Sequence, residues 1–94
     1  MPAIIFPVLG DILRGRGHQR VSFEHNVIDT NAGMWATVTE MAPTGNLPID
    51  GDPFLTVQQV VPDYDNHRCD VMVWIDATPV DISYRVTLYI ASGL

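Results

Sequence analysis

The residues best suited to bind an ion are aspartates that gather in two predicted loops. One loop contains Asp50-Gly51-Asp52 and the other contains Asp63-Tyr64-Asp65-Asn66. Calcium takes about six to eight oxygen ligands, and alternating Asp and Asn side chains can supply several of them. Neither loop has the glycine and distal glutamate of the twelve-residue calcium signature, and Asp and Asn favour turns unaided. Turn formation is therefore the preferred interpretation, no metal ligand is predicted, and calcium binding is the alternative.

Cys69 and His67, two residues apart, are the pair that could serve as a nucleophile and its base. Cys69 lies on the apolar side of its predicted strand, where a thiol is usually inert. As the only cysteine it excludes an internal disulfide, and it leaves a zinc site short of ligands. We predict no catalytic residue and no cofactor, with a small enzyme around these two residues as the weakest alternative.

Large side chains on the polar sides of predicted strands indicate a binding surface. Such residue types are enriched at protein interfaces, although a sheet covered on both faces would also carry them. The residues concerned are Trp35, Met72, Trp74, Arg85 and Tyr89. We predict that they contact a partner protein. The alternative is a ligand-binding domain that uses the Asp-rich loops and stacks a carbohydrate on Trp35 or Trp74.

Residues 1–19 differ from the rest of the chain and are predicted to form an N-terminal arm with a glycine-rich linker. Pro7 and Gly10 disfavour a long helix. Burying a large apolar side chain contributes about 1.5–3 kcal/mol, so the arm must be covered. The arm residues predicted to bind a partner are Ile4, Ile5, Phe6, Val8 and Leu9. We expect an irregular arm that reaches a neighbouring subunit; the alternative is that it folds back as a sixth strand.

The charge balance narrows the range of partners. The net charge is −6, from eleven acidic residues against five arginines, with no lysine. Because phosphate backbones are held by clustered Lys and Arg, direct nucleic-acid binding is not predicted. The local run of Arg14, Arg16 and Arg20 stands between glycines and indicates a solvated segment. No apolar run reaches the roughly 18 residues of a membrane span, and the N-terminus fits a signal peptide poorly, so we expect neither membrane insertion nor secretion.

Residues 20–94 are predicted to fold as a single β-domain. Apolar and polar residues alternate in five runs, and turns recur about every eight to twelve residues without helical periodicity. The runs are Arg20–Ile28, Met34–Ala42, Phe54–Val61 and two within Arg68–Ala91. This pattern predicts an all-β fold, a small antiparallel sandwich or barrel of five to six strands, rich in hairpins.

The stretch Arg68–Ala91 carries the strongest pattern and is predicted to be a hairpin. A turn at Thr78-Pro79-Val80-Asp81 would set Val73 opposite Val86 and Trp74 opposite Arg85. Its two apolar rows are Cys69, Val71, Val73 and Ile75, and Ile82, Tyr84, Val86, Leu88 and Ile90. A second predicted hairpin joins Arg20–Ile28 to Met34–Ala42.

Composition supports a surface role over a chemical one. Hydrophobic residues make up 47% of the 94 residues and charged residues only 17%, below the usual quarter or so for a globular domain. A small domain with few charges often covers part of its surface with a partner. We therefore predict a non-enzymatic structural or interaction subunit that forms a homo-oligomer. By analogy of architecture we favour a virion-type capsid or decoration protein.

Overall fold

The computed structural model describes residues 4–29, 32–42, 54–76 and 81–92. These residues form seven β-strands and one 3-10 turn. The strands are β1 (Ile4–Leu9), β2 (Leu13–Gly15), β3 (Gly17–Glu24), β4 (Gly33–Met41), β5 (Phe54–Asp63), β6 (Arg68–Asp76) and β7 (Ile82–Ser92). They form two antiparallel sheets in one compact fold, so the predicted all-β, sandwich-like architecture is confirmed. In the part of the chain described, no helix is long and apolar enough to span a membrane.

Sheet A has four strands arranged around β7. On one side β7 pairs with β4 along nearly its whole length. On the other side it pairs first with β1 and then, beyond a break at residues 10–12, with β2. The last strand of the chain is therefore the centre of this sheet.

Sheet B has three strands in the order β3-β6-β5. β5 and β6 form a hairpin joined by the 3-10 turn Tyr64–Asn66. The pairing register shifts between Val57 and Gln59, so Gln58 is the extra residue of a β-bulge. The bulge turns Val61 outward, where it is 39% exposed. In the regular alternation predicted for the run Phe54–Val61, Val61 would have shared the inward side of Val57, so the bulge breaks that alternation.

The core lies between the two sheets and is built from the apolar rows of β6 and β7. Both predicted rows face inward. The fully buried members are Cys69, Val71, Val73, Ile75, Val86, Leu88 and Ile90, each with 0% exposure. Phe6 and Val8 from β1 pack against the same cluster.

The two predicted hairpins are wrong. β6 belongs to sheet B and β7 to sheet A, so Val73 pairs with Val57 and not with Val86. Likewise β3 and β4 lie in different sheets. The reason is geometric: two strands that present apolar rows to one core can pair side by side, or they can face each other across it. Alternation of side chains is the same in both arrangements. The turn predicted at 78–81 lies outside the described residues except for Asp81.

The N-terminal residues are not an irregular arm but form two paired strands, β1 and β2. The described chain therefore has seven strands, where five or six were predicted. In β1, Phe6 lies opposite Ile90 and Val8 opposite Leu88, and all four side chains belong to the core. β3 begins at Gly17, inside the predicted linker. The alternative in which the arm folds back onto its own domain is the arrangement found.

A turn at residues 25–29 closes one end of the sandwich. Ile28 is fully buried there. The Nδ1 atom of His67 lies 2.8 Å from the Ile28 carbonyl oxygen, and because a carbonyl only accepts, Nδ1 carries the proton. The backbone N–H of His25 donates to the carbonyl of His67 at 3.0 Å. His67 itself has a left-handed backbone, with φ of 53°.

Candidate interaction face

Alternate residues of β1, β7 and β4 point away from the core and make the outer face of sheet A. Paired residues share a face, so the register gives the rows across the three strands. Together these residues form what we call the apolar face: Ile5, Pro7, Leu9, Gly33, Trp35, Thr37, Thr39, Arg85, Thr87, Tyr89 and Ala91.

The central row of the apolar face is Pro7, Tyr89 and Trp35. The rings of Trp35 and Tyr89 stack at a centroid distance of 5.4 Å with an interplanar angle of 9°. Trp35 is 43% exposed, although it is the largest side chain on the face. Ile5 and Leu9, on either side of Pro7, are 55% and 61% exposed. The row and its flanks make one continuous apolar surface open to solvent.

The apolar face carries no carboxylate, and its one charged side chain is Arg85; Arg14 of β2, opposite Ser83, lies beside it on the same side of sheet A. The Arg85 side chain is half-buried, and its Nε donates to the Gly10 carbonyl at 3.1 Å. In a chain with a net charge of −6, a surface without acidic groups lets a second acidic molecule approach with little local repulsion.

The predicted partner-binding residues do not form one surface. Trp35, Arg85 and Tyr89 lie on sheet A, whereas Met72 and Trp74 lie on the outer face of sheet B. Their grouping on one face depended on the hairpin that is not formed. The role of each residue in binding stays a prediction.

The predicted arm residues also separate into two groups. Ile5 and Leu9 belong to the apolar face, Phe6 and Val8 point into the core, and Ile4 is 62% exposed at the end of β1. Pro7 is a member of the apolar face that is not among the predicted binding residues. The alternation within IIFPVL places it between Ile5 and Leu9, although a proline in the sequence indicates first of all a break in a helix.

Of the two Asp-rich loops, Asp50-Gly51-Asp52 lies outside the described residues. The other, at residues 63–66, is not next to a tryptophan. Asp63 accepts a hydrogen bond from the Asn66 side chain at 2.8 Å. In the strand pairing of β5 with β6 it lies opposite Arg68, which is six residues from Trp74 along β6. Among the described ranges, no group of three or more His, Cys, Asp and Glu side chains could hold a metal ion.

Cys69 and His67 are both engaged in the fold. Cys69 is fully buried, and burial raises the pKa of its thiol. The neighbouring charge of Asp70 also raises this pKa, and a backbone hydrogen bond from Val61 opposes both effects. A nucleophilic cysteine needs the reverse, a lowered pKa and access to substrate.

Exposure singles out sheet A as the better candidate for a binding surface. Among the described residues the large hydrophobic side chains that remain exposed are Ile4, Ile5, Leu9, Trp35 and Val61. All but Val61 lie in sheet A, and three of them lie on the apolar face. Comparison of the chain with known protein families, with curated proteins and with solved structures finds no match.

Proposed function

We propose that this protein is a non-enzymatic structural subunit that self-associates through the apolar face. The observation that carries the proposal is a continuous exposed row of apolar side chains, centred on the Trp35–Tyr89 stack, on a sheet face without carboxylates. Aromatic residues packed at the centre of an interface contribute most of the binding energy in many complexes. The natural arrangement is isologous, with the same face contributed by each of two copies.

The size of the face is compatible with a weak interface. It runs from Arg85 to Ala91 of β7, so at about 3.3 Å per residue it is about 23 Å long, and three strands about 4.8 Å apart span roughly 10–14 Å. The face therefore covers about 230–320 Å² per copy. Two copies would bury about 500–600 Å², less than the roughly 1,200 Å² of stable specific interfaces, so the association should be weak.

Electrostatics gives the association a characteristic dependence on salt. Two copies with a net charge of −6 each repel at long range, while the face itself contributes only apolar contact. Salt screens the repulsion over about 8–10 Å at moderate ionic strength. Added sodium chloride should therefore strengthen self-association, the opposite of what an interface built on ion pairs would show.

A subunit of this kind is suited to symmetric assemblies, and a virion-type building or decoration protein remains the class that we favour. The support for this class is its architecture: a small β-domain with one face left apolar. Measuring the mass of the native particle from which the chain is purified would test it. A native particle no larger than the 10.4 kDa chain would contradict the assembly role.

The test uses one substitution at two matched positions. Thr37 and Thr56 are both exposed threonines in edge strands, but Thr37 lies on the apolar face and Thr56 on the outer face of sheet B. We expect sedimentation velocity to show the wild type and Thr56→Asp as oligomers and Thr37→Asp as a monomer. All three should have the same circular dichroism.

Two results would overturn the proposal. One is a wild-type protein that stays monomeric at about 1 mM, where association of about 4 kcal/mol would still be visible. The other is equal dissociation of both variants, which would mean that added charge acts without regard to the face that carries it.

A further inference from the structure

The outer face of sheet B contains a depression of about 400 Å³ beside the β-bulge. His18 and Arg20 of β3 form one wall, Gln58 and Gln59 of β5 form the other, and Met72 of β6 is the floor. It lies on the side of the sandwich opposite the apolar face, and nothing in the proposed self-association uses it.

The bulge gives the depression its second wall. In a regular strand consecutive side chains point to opposite faces, so Gln58 and Gln59 could not both point outward. The extra residue at Gln58 breaks that rule, and both glutamines are exposed. Gln59 then shares a row with Met72 and Arg20, while two amide groups border one site. Bulges often re-aim side chains next to functional sites.

The charge of the depression is opposite to that of the molecule. Arg20 is exposed and forms no ion pair with any described residue. No Asp or Glu lines the depression, although the chain has eleven of them. A guanidinium presents its N–H donors in a fork that matches a carboxylate with two parallel hydrogen bonds. This wall is therefore suited to an anion.

The ring of His18 gives the depression an aromatic border, and Trp74 packs against that ring from outside the lining. The two rings are 4.6 Å apart between centroids, at 56° to one another. The Nδ1 atom of His18 lies 3.1 Å from Gln58 Oε1, which fixes the ring and leaves Nε2 as its free nitrogen. Beside these rings, the thioether of Met72 is a soft floor that packs well against aromatic groups.

We propose that this depression binds a small organic acid, a flat apolar ring that carries a carboxylate. The carboxylate pairs with the guanidinium of Arg20, and the ring lies on Met72 beside the ring of His18. The amides of Gln58 and Gln59 donate hydrogen bonds to polar substituents of the ligand. The site is therefore selective for the charge and for the ring together.

The proposal can be tested by titrating the full chain with benzoate and following amide resonances by NMR. We expect saturable shifts at His18, Arg20, Gln58, Gln59 and Met72, with half-saturation at about 1–10 mM, as suits a ligand of so few atoms. Benzamide, which has the same ring without the charge, should bind at least about tenfold more weakly. Arg20→Gln should weaken benzoate binding by a similar factor, because it removes the charge-assisted pair.

Arg14→Gln is the matched control, since Arg14 is also exposed and lies in the same basic run, but on β2 away from the depression. It should leave benzoate binding unchanged. Equal losses in the two variants, equal binding of benzamide, or the absence of saturable shifts would each overturn the proposal. The same titration in Thr37→Asp should give the wild-type result, so failure of self-association and failure of this site are distinguishable.

Discussion

Gly10 is the position where a single methyl group tests the placement of β1 against β7. Its N–H donates to the Val86 carbonyl at 2.9 Å, and its own carbonyl accepts from the Arg85 side chain at 3.1 Å. A Cβ atom added there would lie 2.7 Å from the Val86 carbonyl oxygen and 3.4 Å from the Phe23 ring. Gly10→Ala must therefore push the chain away from β7.

The cost follows from the contacts that this movement breaks. Ordinary contact begins at 3.4 Å, so the chain must move by about 3.4 − 2.7 = 0.7 Å. That shift weakens one backbone hydrogen bond, worth about 0.5–1.5 kcal/mol, and one bond from a charged donor, worth about 1.5–3 kcal/mol. A Gly to Ala change recovers about 0.4–1 kcal/mol through the unfolded state. We expect Gly10→Ala to lower the free energy of unfolding by about 2–3 kcal/mol.

Gly15→Ala is the control in the same segment. There the added Cβ atom would lie 2.9 Å from Oε1 of Gln19, the end of a side chain. This side chain donates to the Arg16 carbonyl and accepts from the Tyr84 hydroxyl, so moving it weakens two neutral hydrogen bonds but no backbone pairing. Its cost should be about 1 kcal/mol, less than that of Gly10→Ala. Urea unfolding followed by tryptophan fluorescence measures both variants. If Gly10→Ala were as stable as the wild type, or no less stable than Gly15→Ala, the close approach of Gly10 to Val86 would be refuted.

Three further outcomes are expected. Burial raises the pKa of Cys69 above its ordinary 9.0, so above pH 9 the thiol ionises first in the unfolded chain. The free energy of unfolding should therefore fall as pH rises above 9, by up to about 1.4 kcal/mol per pH unit. Cys69→Val should remove this slope in urea titrations. Burial likewise raises the pKa of Tyr84 above 10.0, so Tyr84→Phe should remove a second loss that begins above pH 10. Deleting residues 1–12 should unfold or aggregate the chain, because β1 and Gly10 pair with one edge of β7. A truncated protein that keeps the circular dichroism of β-strands and stays monodisperse would contradict this.

Alternation predicted which residues are buried but not which strands are neighbours. The rows through Val71 and Val86 are inward as expected, because the period of two depends only on local backbone geometry. Which strands pair depends on contacts between segments that are far apart in the sequence, and local alternation carries no information about those contacts. The bulge at Gln58 was also beyond prediction, since one extra residue reverses the facing of Val61 without any change in composition.

The candidate face was predicted in part. Trp35, Tyr89, Ile5 and Leu9 were selected from the sequence by residue type, and the structure places them side by side. Pro7 disfavours a helix, as predicted, but it is tolerated in β1 because β1 is an edge strand of sheet A. The absence of carboxylates from the face could not be predicted, because it depends on which strands share sheet A.

The position of β7 at the centre of sheet A has a consequence for how the chain folds. Ile4 pairs with Ser92, a separation of 92 − 4 = 88 residues along the chain. β5 with β6 is the one pairing between consecutive strands among those described. High contact order slows folding to roughly milliseconds to seconds, so the β5–β6 hairpin should form first and sheet A should close last. Until β7 docks, its apolar row stays in water, and refolding should succeed best from dilute solution.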